Sequence, residues 1–321
     1  MLALGCPGAR SSDGGTGGGP GGTGGVLCSI AHADGGWVAA GTSNGPLILS
    51  SFDAVNWQRE MIPEDGGGIF DVAFANGVVV AVGSGGGSNS TIYVHESHGW
   101  LAQAFPQNLE QVISGNGLFL VGAGVEPGSA VSSDGLTWTS AQGPSSGRFA
   151  FDGDRFVAIR GNSWVTSTHG SSWLDGGASA TSSLYELARV GNQLLGFGLS
   201  AVGEVQQIVA TAGSDLSAST VAPVTWSDRT FDLSPSGLGR ALSIASGSSR
   251  VVVVTPTVIH VTSLPIGDAG WVDINVKSRG WALADIAWGD GIFVVVGSAD
   301  AGALLATSPD GIHWQEVVLR Q

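Results

Sequence analysis

The chain has 321 residues, 43% of them hydrophobic and 12% charged, with a mean hydropathy of +0.25, so it holds enough apolar material for a continuous core and is not globally disordered. Its formal charge is −14, with one lysine and eleven scattered arginines, which excludes the basic surface that a phosphate backbone demands and with it a nucleic-acid partner. Gly, Ser, Asp or Asn interrupts every apolar run within about ten positions, short of the ~20 residues a spanning helix needs.

Residues 1–26 form a first region, in which MLALGC (1–6) precedes a stretch, 11–25, with nine glycines in fifteen residues. Such a composition makes a flexible tether of roughly 20–25 Å between its ends. The two cysteines, Cys6 and Cys28, are too few for a disulfide framework, and no pairing between them is expected.

From residue 27 to 321 two motifs recur in phase. The first is a tight polar turn followed by an apolar strand: DGGWVAAG (34–41), NGVVVAVG (76–83), NGLFLVGAG (116–124), DGDRFVAIRG (152–161) and DGIFVVVG (290–297), with weaker copies at 190–198 and 247–255. Asn-Gly or Asp-Gly between apolar runs is the strongest short-range hairpin signal. The second places Ser, then Asp or His two residues on, then Trp four beyond that. It appears at Ser51, Asp53 and Trp57; at Ser132, Asp134 and Trp138; at Ser167, His169 and Trp173; and at Ser308, Asp310 and Trp314. Serine and aspartate side chains bond to nearby backbone N–H groups and close a turn, and Trp opens the next strand and seals one unit against its neighbour.

With looser copies ending at Trp100, Trp226 and Trp271, the seven tryptophans are separated by 43, 38, 35, 53, 45 and 43 residues. That spacing and four strands per unit predict an all-β, seven-bladed β-propeller of four-stranded antiparallel blades, preceded by a disordered Gly-rich tether. The expected blades are 27–66, 67–108, 109–146, 147–183, 184–230, 231–280 and 281–321. The first blade supplies its own inner strand and the last its own outer strand, so the ring is expected to close by packing alone.

The second motif resembles the Asp-box, or BNR-type, repeat of sialidases, sortilin-like receptors and photosystem-assembly-factor-like propellers. Here Asp134-Gly135 and Asp310-Gly311 are adjacent, where the family usually places one residue between them. Leu2-Ala3-Leu4-Gly5-Cys6 resembles the end of a bacterial lipoprotein signal, which implies lipid attachment at Cys6 and an extracytoplasmic home: the outer membrane, periplasm or cell surface of a bacterium. A sialidase-like activity would need a tyrosine nucleophile beside a glutamate. Tyr185 and Glu186 are neighbours on one strand and point to opposite faces unless a bulge intervenes, so no catalytic residue is assigned. His95, Glu96 and His98 fall in a polar turn without further ligands, and neither a metal nor a cofactor is expected.

Any ligand is expected on the face carrying the longer, varied connections. Arg229, Arg240, Lys277 and Arg279 cluster there in an otherwise acidic chain, with Trp281 as a possible aromatic wall for an anion. The resulting expectation is a monomeric, non-enzymatic binding or scaffold propeller, lipid-anchored, that presents this face to a protein or glycan. A glycan-active enzyme and an envelope assembly factor are the alternatives.

Overall fold

Turn chemistry sets the first hairpin of each unit. Asn76-Gly77, Asn116-Gly117 and Asp290-Gly291 take positive φ at both positions (54° and 77°, 52° and 70°, 48° and 81°). This doubly left-handed turn matches the twist of two antiparallel strands, and Asn, Asp and Gly are the residues that tolerate it. The strands it joins are rich in Val, Ile, Leu and Phe, which fit a pleated, buried surface.

The computed structural model describes most of residues 25–319, with 1–24, 212–225 and 231–242 the longest stretches outside the description. Every strand pairs antiparallel with its neighbour in sequence, so each sheet runs in simple chain order from inner to outer edge. The inner strands are Val26–Ala33, Ile69–Ala75, Leu109–Gly115, Phe149–Phe151, Ser183–Val190, Ser243–Ser246 and Ala282–Gly289. Each touches the inner strands before and after it, and Val26–Ala33 meets Ala282–Gly289 to close the ring. The numbers one to seven used for blades below are labels for the sheets in the order of these inner strands, whether or not the sheet stands as a packed blade.

The expectation of seven blades is corrected on packing. Six four-stranded sheets, those starting at Val26, Ile69, Leu109, Phe149, Ser243 and Ala282, have described side-chain cores and stand as packed blades. The sheet of 183–230, whose side chains are described only at residues 187–190 of its inner strand, is not counted among them. Six apolar clusters are described, each spanning two adjacent sheets, and none is described between the fourth and fifth sheets. The expected tether lies outside the described residues.

Blade-to-blade packing alternates small with large. A Cβ placed on Gly115 would come within 2.2 Å of the Phe151 ring of the next blade, and one on Gly289 within 2.2 Å of the His32 ring. Only glycine leaves room for those rings. The seam between the last and first blades exchanges no strand: Leu27, Ile30, Trp37 and Leu49 pack directly against Val294, Val296 and Leu305, with Val317 and Leu319 along the edge.

Candidate functional site

Three regions compete for a functional role: the tight-turn face, the long-connection face and the axis. On the first, the four Ser-x-Asp/His turns are self-contained. In the first blade the Asp53 carboxylate accepts the N–H groups of Val55 (2.9 Å) and Asn56 (2.7 Å), and Trp57 Nε1 donates to the carbonyl of Ala54 (2.9 Å). In the last, Asp310 accepts from Ile312 (2.9 Å) and His313 (2.8 Å), and Trp314 Nε1 donates to Gly311 O (2.8 Å). Trp138 and Trp173 donate likewise to Gly135 (2.8 Å) and Gly170 (3.0 Å).

These hydrogen bonds set the electrostatics of the turns. The Asn56 and Val55 donors hold Asp53 well below the usual carboxylate range. At Asp310 partial burial pushes the pKa up, but the His313 and Ile312 donors outweigh it and the net direction is down. Asp134 is lowered too, chiefly by the Thr137 N–H.

Asparagine clamps tie the same face across blades. Asn76 Nδ2 donates to Gly117 O (2.7 Å) and Ser133 O (3.2 Å), and Asn116 Nδ2 to Asp154 O (2.8 Å) and Thr168 O (3.2 Å). The first and third hairpins of a blade therefore lie on one face, with their polar atoms engaged in structure.

The long-connection face holds what remains of the basic patch. Lys277–Arg279 is a single 3-10 turn between blades six and seven, ended by Gly280 at φ 71°. Arg279 is exposed and partly engaged: its guanidinium lies 4.9 Å from the Trp281 ring centre, and Nη1 donates to Trp314 O at 3.2 Å. Trp281 is 4% exposed within the core, so the expected aromatic wall is corrected to a buried plug. The Arg229 side chain and Arg240 lie outside the described residues, leaving exposed Lys277 and Arg279 as the described cations of the patch. Met61, 93% exposed in the connection after the first blade, is the most exposed large apolar residue described.

Sequence reasoning missed the axis. Five inner strands carry a bulge, at Cys28, Phe70, Glu110, Tyr185 and Ala284. The residue after it is polar: Ser29, Asp71, Gln111, Glu186 and Asp285. Described members of this set bond to the neighbouring blade. Asp285 Oδ2 accepts Ile30 N–H (2.8 Å), Ser29 Oγ donates to Asp71 Oδ1 (2.7 Å), and Asp71 Oδ2 accepts Val112 N–H (3.0 Å). Gln111 then accepts Phe149 N–H (2.9 Å) and donates to Phe149 O (3.1 Å). Ser243 Oγ of blade six completes the run by donating to Ile286 O of blade seven (3.5 Å). A polar belt thus joins blades six, seven, one, two, three and four.

Burial pushes the Asp71 carboxyl up to about 7; Asp285 nearby adds to the rise, and the Ser29, Val112 and Val72 hydrogen bonds oppose it. Burial likewise raises Asp285 against the donors Ser243, Ile30, Ile286 and Ser29. Neither carboxyl has a cation among the influences that set it. A sequence signal existed: Ser29, Asp71, Gln111 and Asp285 each stand five residues ahead of the first turn residue of the hairpin, at Asp34, Asn76, Asn116 and Asp290.

Other candidates resolve into structure. His95 packs against Trp100 with the rings tilted by 56° and their centres 5.1 Å apart, and His98 Nδ1 lies 3.0 Å from Ser97 Oγ. Among the described residues no group of three or more His, Cys, Asp or Glu side chains is placed to hold a metal. Cys28 takes part in a disulfide, which corrects the expectation of no pairing; the one other cysteine in the sequence is Cys6, outside the described residues. No described helix is long and apolar enough to cross a membrane.

This architecture defines the class: a β-propeller of four-stranded blades. No family model matches the chain, and no curated protein matches it. Among solved structures it is similar to YCF48 from Cyanidioschyzon merolae, with TM-score 0.61, 18% identity, and 89% of this chain and 96% of that one covered. It is similar also to PorZ, described as an essential bacterial surface component of the type-IX secretion system of Porphyromonas gingivalis, with TM-score 0.60 and 10% identity, over 92% of this chain and 38% of that one. The propeller domain of the Trilobed protease from Pyrococcus furiosus, described as having an open velcro topology, aligns with TM-score 0.58 and 10% identity, covering 92% and 98%. At these identities the likeness is one of fold.

Proposed function

We propose that the chain is a non-enzymatic, extracytoplasmic scaffold that, as a monomer, presents its long-connection face to a protein or glycan partner. The observation that carries this reading is the engagement of the axial carboxylates. Both oxygens of Asp71 and of Asp285 accept hydrogen bonds from Ser29 or from backbone N–H groups. A glycosidase needs one carboxyl free to protonate a leaving oxygen and one free to attack or to activate water, so these two fit latches better than catalysts. The glycan-active alternative predicts turnover of a chromogenic glycoside that is lost in Asp71→Ala and Asp285→Ala.

An extracytoplasmic home is supported by the disulfide at Cys28, since such bonds persist in oxidising compartments. Lipid anchoring through Cys6 is a different covalent state of the same chain. A disulfide between Cys28 and Cys6 would use the thiol that a thioether-linked lipid requires, so within one chain those two states exclude one another. Intact mass under non-reducing conditions separates them: a lipid adds several hundred daltons, a disulfide removes two hydrogens.

The functional test is affinity capture from the envelope fraction with wild type and with Lys277→Glu combined with Met61→Ser. A partner lost with the double variant supports the loop-face reading. The same partner captured equally well by both overturns it.

A further inference from the structure

We propose that Asn44 is a modification site, at which the chain exchanges a side-chain amide for a carboxylate by intramolecular deamidation, while two sites of the same chemistry are held as amides by the ring itself. The sequence contains three Asn-Gly pairs: Asn44-Gly45, Asn76-Gly77 and Asn116-Gly117. Glycine has no Cβ, so its backbone nitrogen can close on the preceding asparagine side chain. The Gly45 nitrogen attacks Asn44 Cγ, the new N–Cγ bond completes a five-membered succinimide, and the Cγ–Nδ2 bond breaks to release ammonia with the Gly45 proton. Water then opens the ring at either carbonyl and leaves aspartate or isoaspartate. The net exchange is amide and water for carboxylate and ammonium.

The three pairs form a controlled comparison. Asn44, Asn76 and Asn116 are all exposed, and all three take a left-handed backbone, at φ 54°, 54° and 52°. They differ in what holds the side chain. Asn76 Nδ2 donates to Gly117 O (2.7 Å) and Ser133 O (3.2 Å), and Asn116 Nδ2 to Asp154 O (2.8 Å) and Thr168 O (3.2 Å), so each is clamped to the next blade. Among the described residues none bonds to the Asn44 amide. The turns differ as well. Asn76-Gly77 and Asn116-Gly117 are two-residue hairpins between paired Ala75 and Val78 and between paired Gly115 and Leu118, whereas Asn44 stands in a three-residue loop between paired Thr42 and Pro46. In that loop Ser43 N–H (2.8 Å) and Thr42 Oγ1 (3.0 Å) both donate to the Gly45 carbonyl, which leaves the attacking nitrogen unengaged among the described residues.

Succinimide formation requires Cγ to swing onto the following nitrogen, so at Asn76 and Asn116 it must first take Nδ2 off two carbonyl oxygens. A carboxylate has no donor to return to them, and the product would set a negative charge against the next blade. Blade seven carries an aspartate by sequence at the same place in its hairpin, and there the neighbouring blade meets it with a ring nitrogen: His32 Nε2 lies 2.9 Å from Asp290 Oδ2. At Asn44 no clamp is lost. The new carboxylate adds one negative charge to the long-connection face, in a hairpin whose Thr42 packs so closely on Gly68, at the entry to blade two, that a Cβ there would lie 2.8 Å from Thr42 Cβ.

The test is a time course of the folded full chain in mildly alkaline buffer, with peptide mapping by mass spectrometry to read the one-dalton gain at each pair. Asn44 is expected to convert at least about tenfold faster than Asn76 or Asn116, the combined effect of two hydrogen bonds, and to yield aspartate and isoaspartate together. In denaturant, where no clamp survives, the three rates should converge. An Asn44 that stays intact, or an Asn76 or Asn116 that converts as fast in the folded chain, would overturn the proposal. So would aspartate formed without isoaspartate, or a preference for Asn44 that persists undiminished in denaturant.

Discussion

The rim and the axis of this propeller use the same residue type for opposite ends. At the rim Asp53, Asp134 and Asp310 close turns within three residues of themselves, near solvent, and their pKa values are pulled down. At the axis Asp71 and Asp285 bond across blades, to residues 41 or more positions away, and their pKa values are pushed up. Local hydrogen bonding lets a carboxylate stay hydrated while it organises a turn; joining two blades at the centre requires giving that hydration up. The rim builds each unit, and the axis holds the units in a ring.

The largest expected effect lies at the rim, where one side chain both seals and ties a blade. Trp314 is buried in the last blade and its indole N–H is bonded, so Trp314→Ala should cost about 3–5 kcal/mol in denaturant unfolding. Gly311 sits at φ 73°, and a Cβ there would lie 2.7 Å from Val252 Cγ2, so Gly311→Ala should cost about 2–4 kcal/mol. The first blade already carries alanine at that place: Ala54 has φ 57° and is fully buried, so Ala54→Gly trades backbone strain for a lost methyl contact and should stay within about 1 kcal/mol of wild type.

Smaller effects sharpen the contrast. Asn76→Ala removes two cross-blade hydrogen bonds from an exposed turn and should cost about 1–2 kcal/mol. Trp138→Phe loses one indole hydrogen bond, about 1 kcal/mol. Trp100→Phe should be neutral or stabilising, because Trp100 Nε1 is buried without a protein partner. The second blade has a two-residue hairpin, Ser97-His98, in place of the repeat turn and so lacks the carbonyl that receives the indole elsewhere. Equal costs for the two substitutions would undo that distinction.

The rim was legible from sequence because its interactions are local. Ser, Asp and Trp at fixed offsets encode the turn, and the Asn-Gly and Asp-Gly pairs encode the first hairpin with its positive φ. The axis was not legible by the same means. Asp71 and Gln111 sit among apolar residues and look like interruptions of a strand until the bulges align them with Ser29 and Asp285. Their partners are backbone N–H groups, which leave no residue signature. The basic cluster misled for a related reason: Lys277, Arg279 and Trp281 are close in sequence, yet Arg279 turns back onto Trp281 and the Trp314 carbonyl while Trp281 enters the core. Cys28 misled as well, because two cysteines make no framework from which a pairing can be read.

The opposed rim and axis make one prediction about the whole molecule. Rim aspartates with lowered values contribute stability that is present above the ordinary carboxylate range and is lost as pH falls below about 4. The axial pair contributes stability that is lost as pH rises toward and past 7. Denaturant unfolding measured from pH 3 to pH 9 tests both at once. The expected curve peaks between about pH 4 and pH 6 and declines on either side, and its alkaline decline shifts upward in Ser29→Ala. A stability that climbs steadily to a plateau at pH 7–8, unchanged in that variant, would contradict the division of labour between rim and axis.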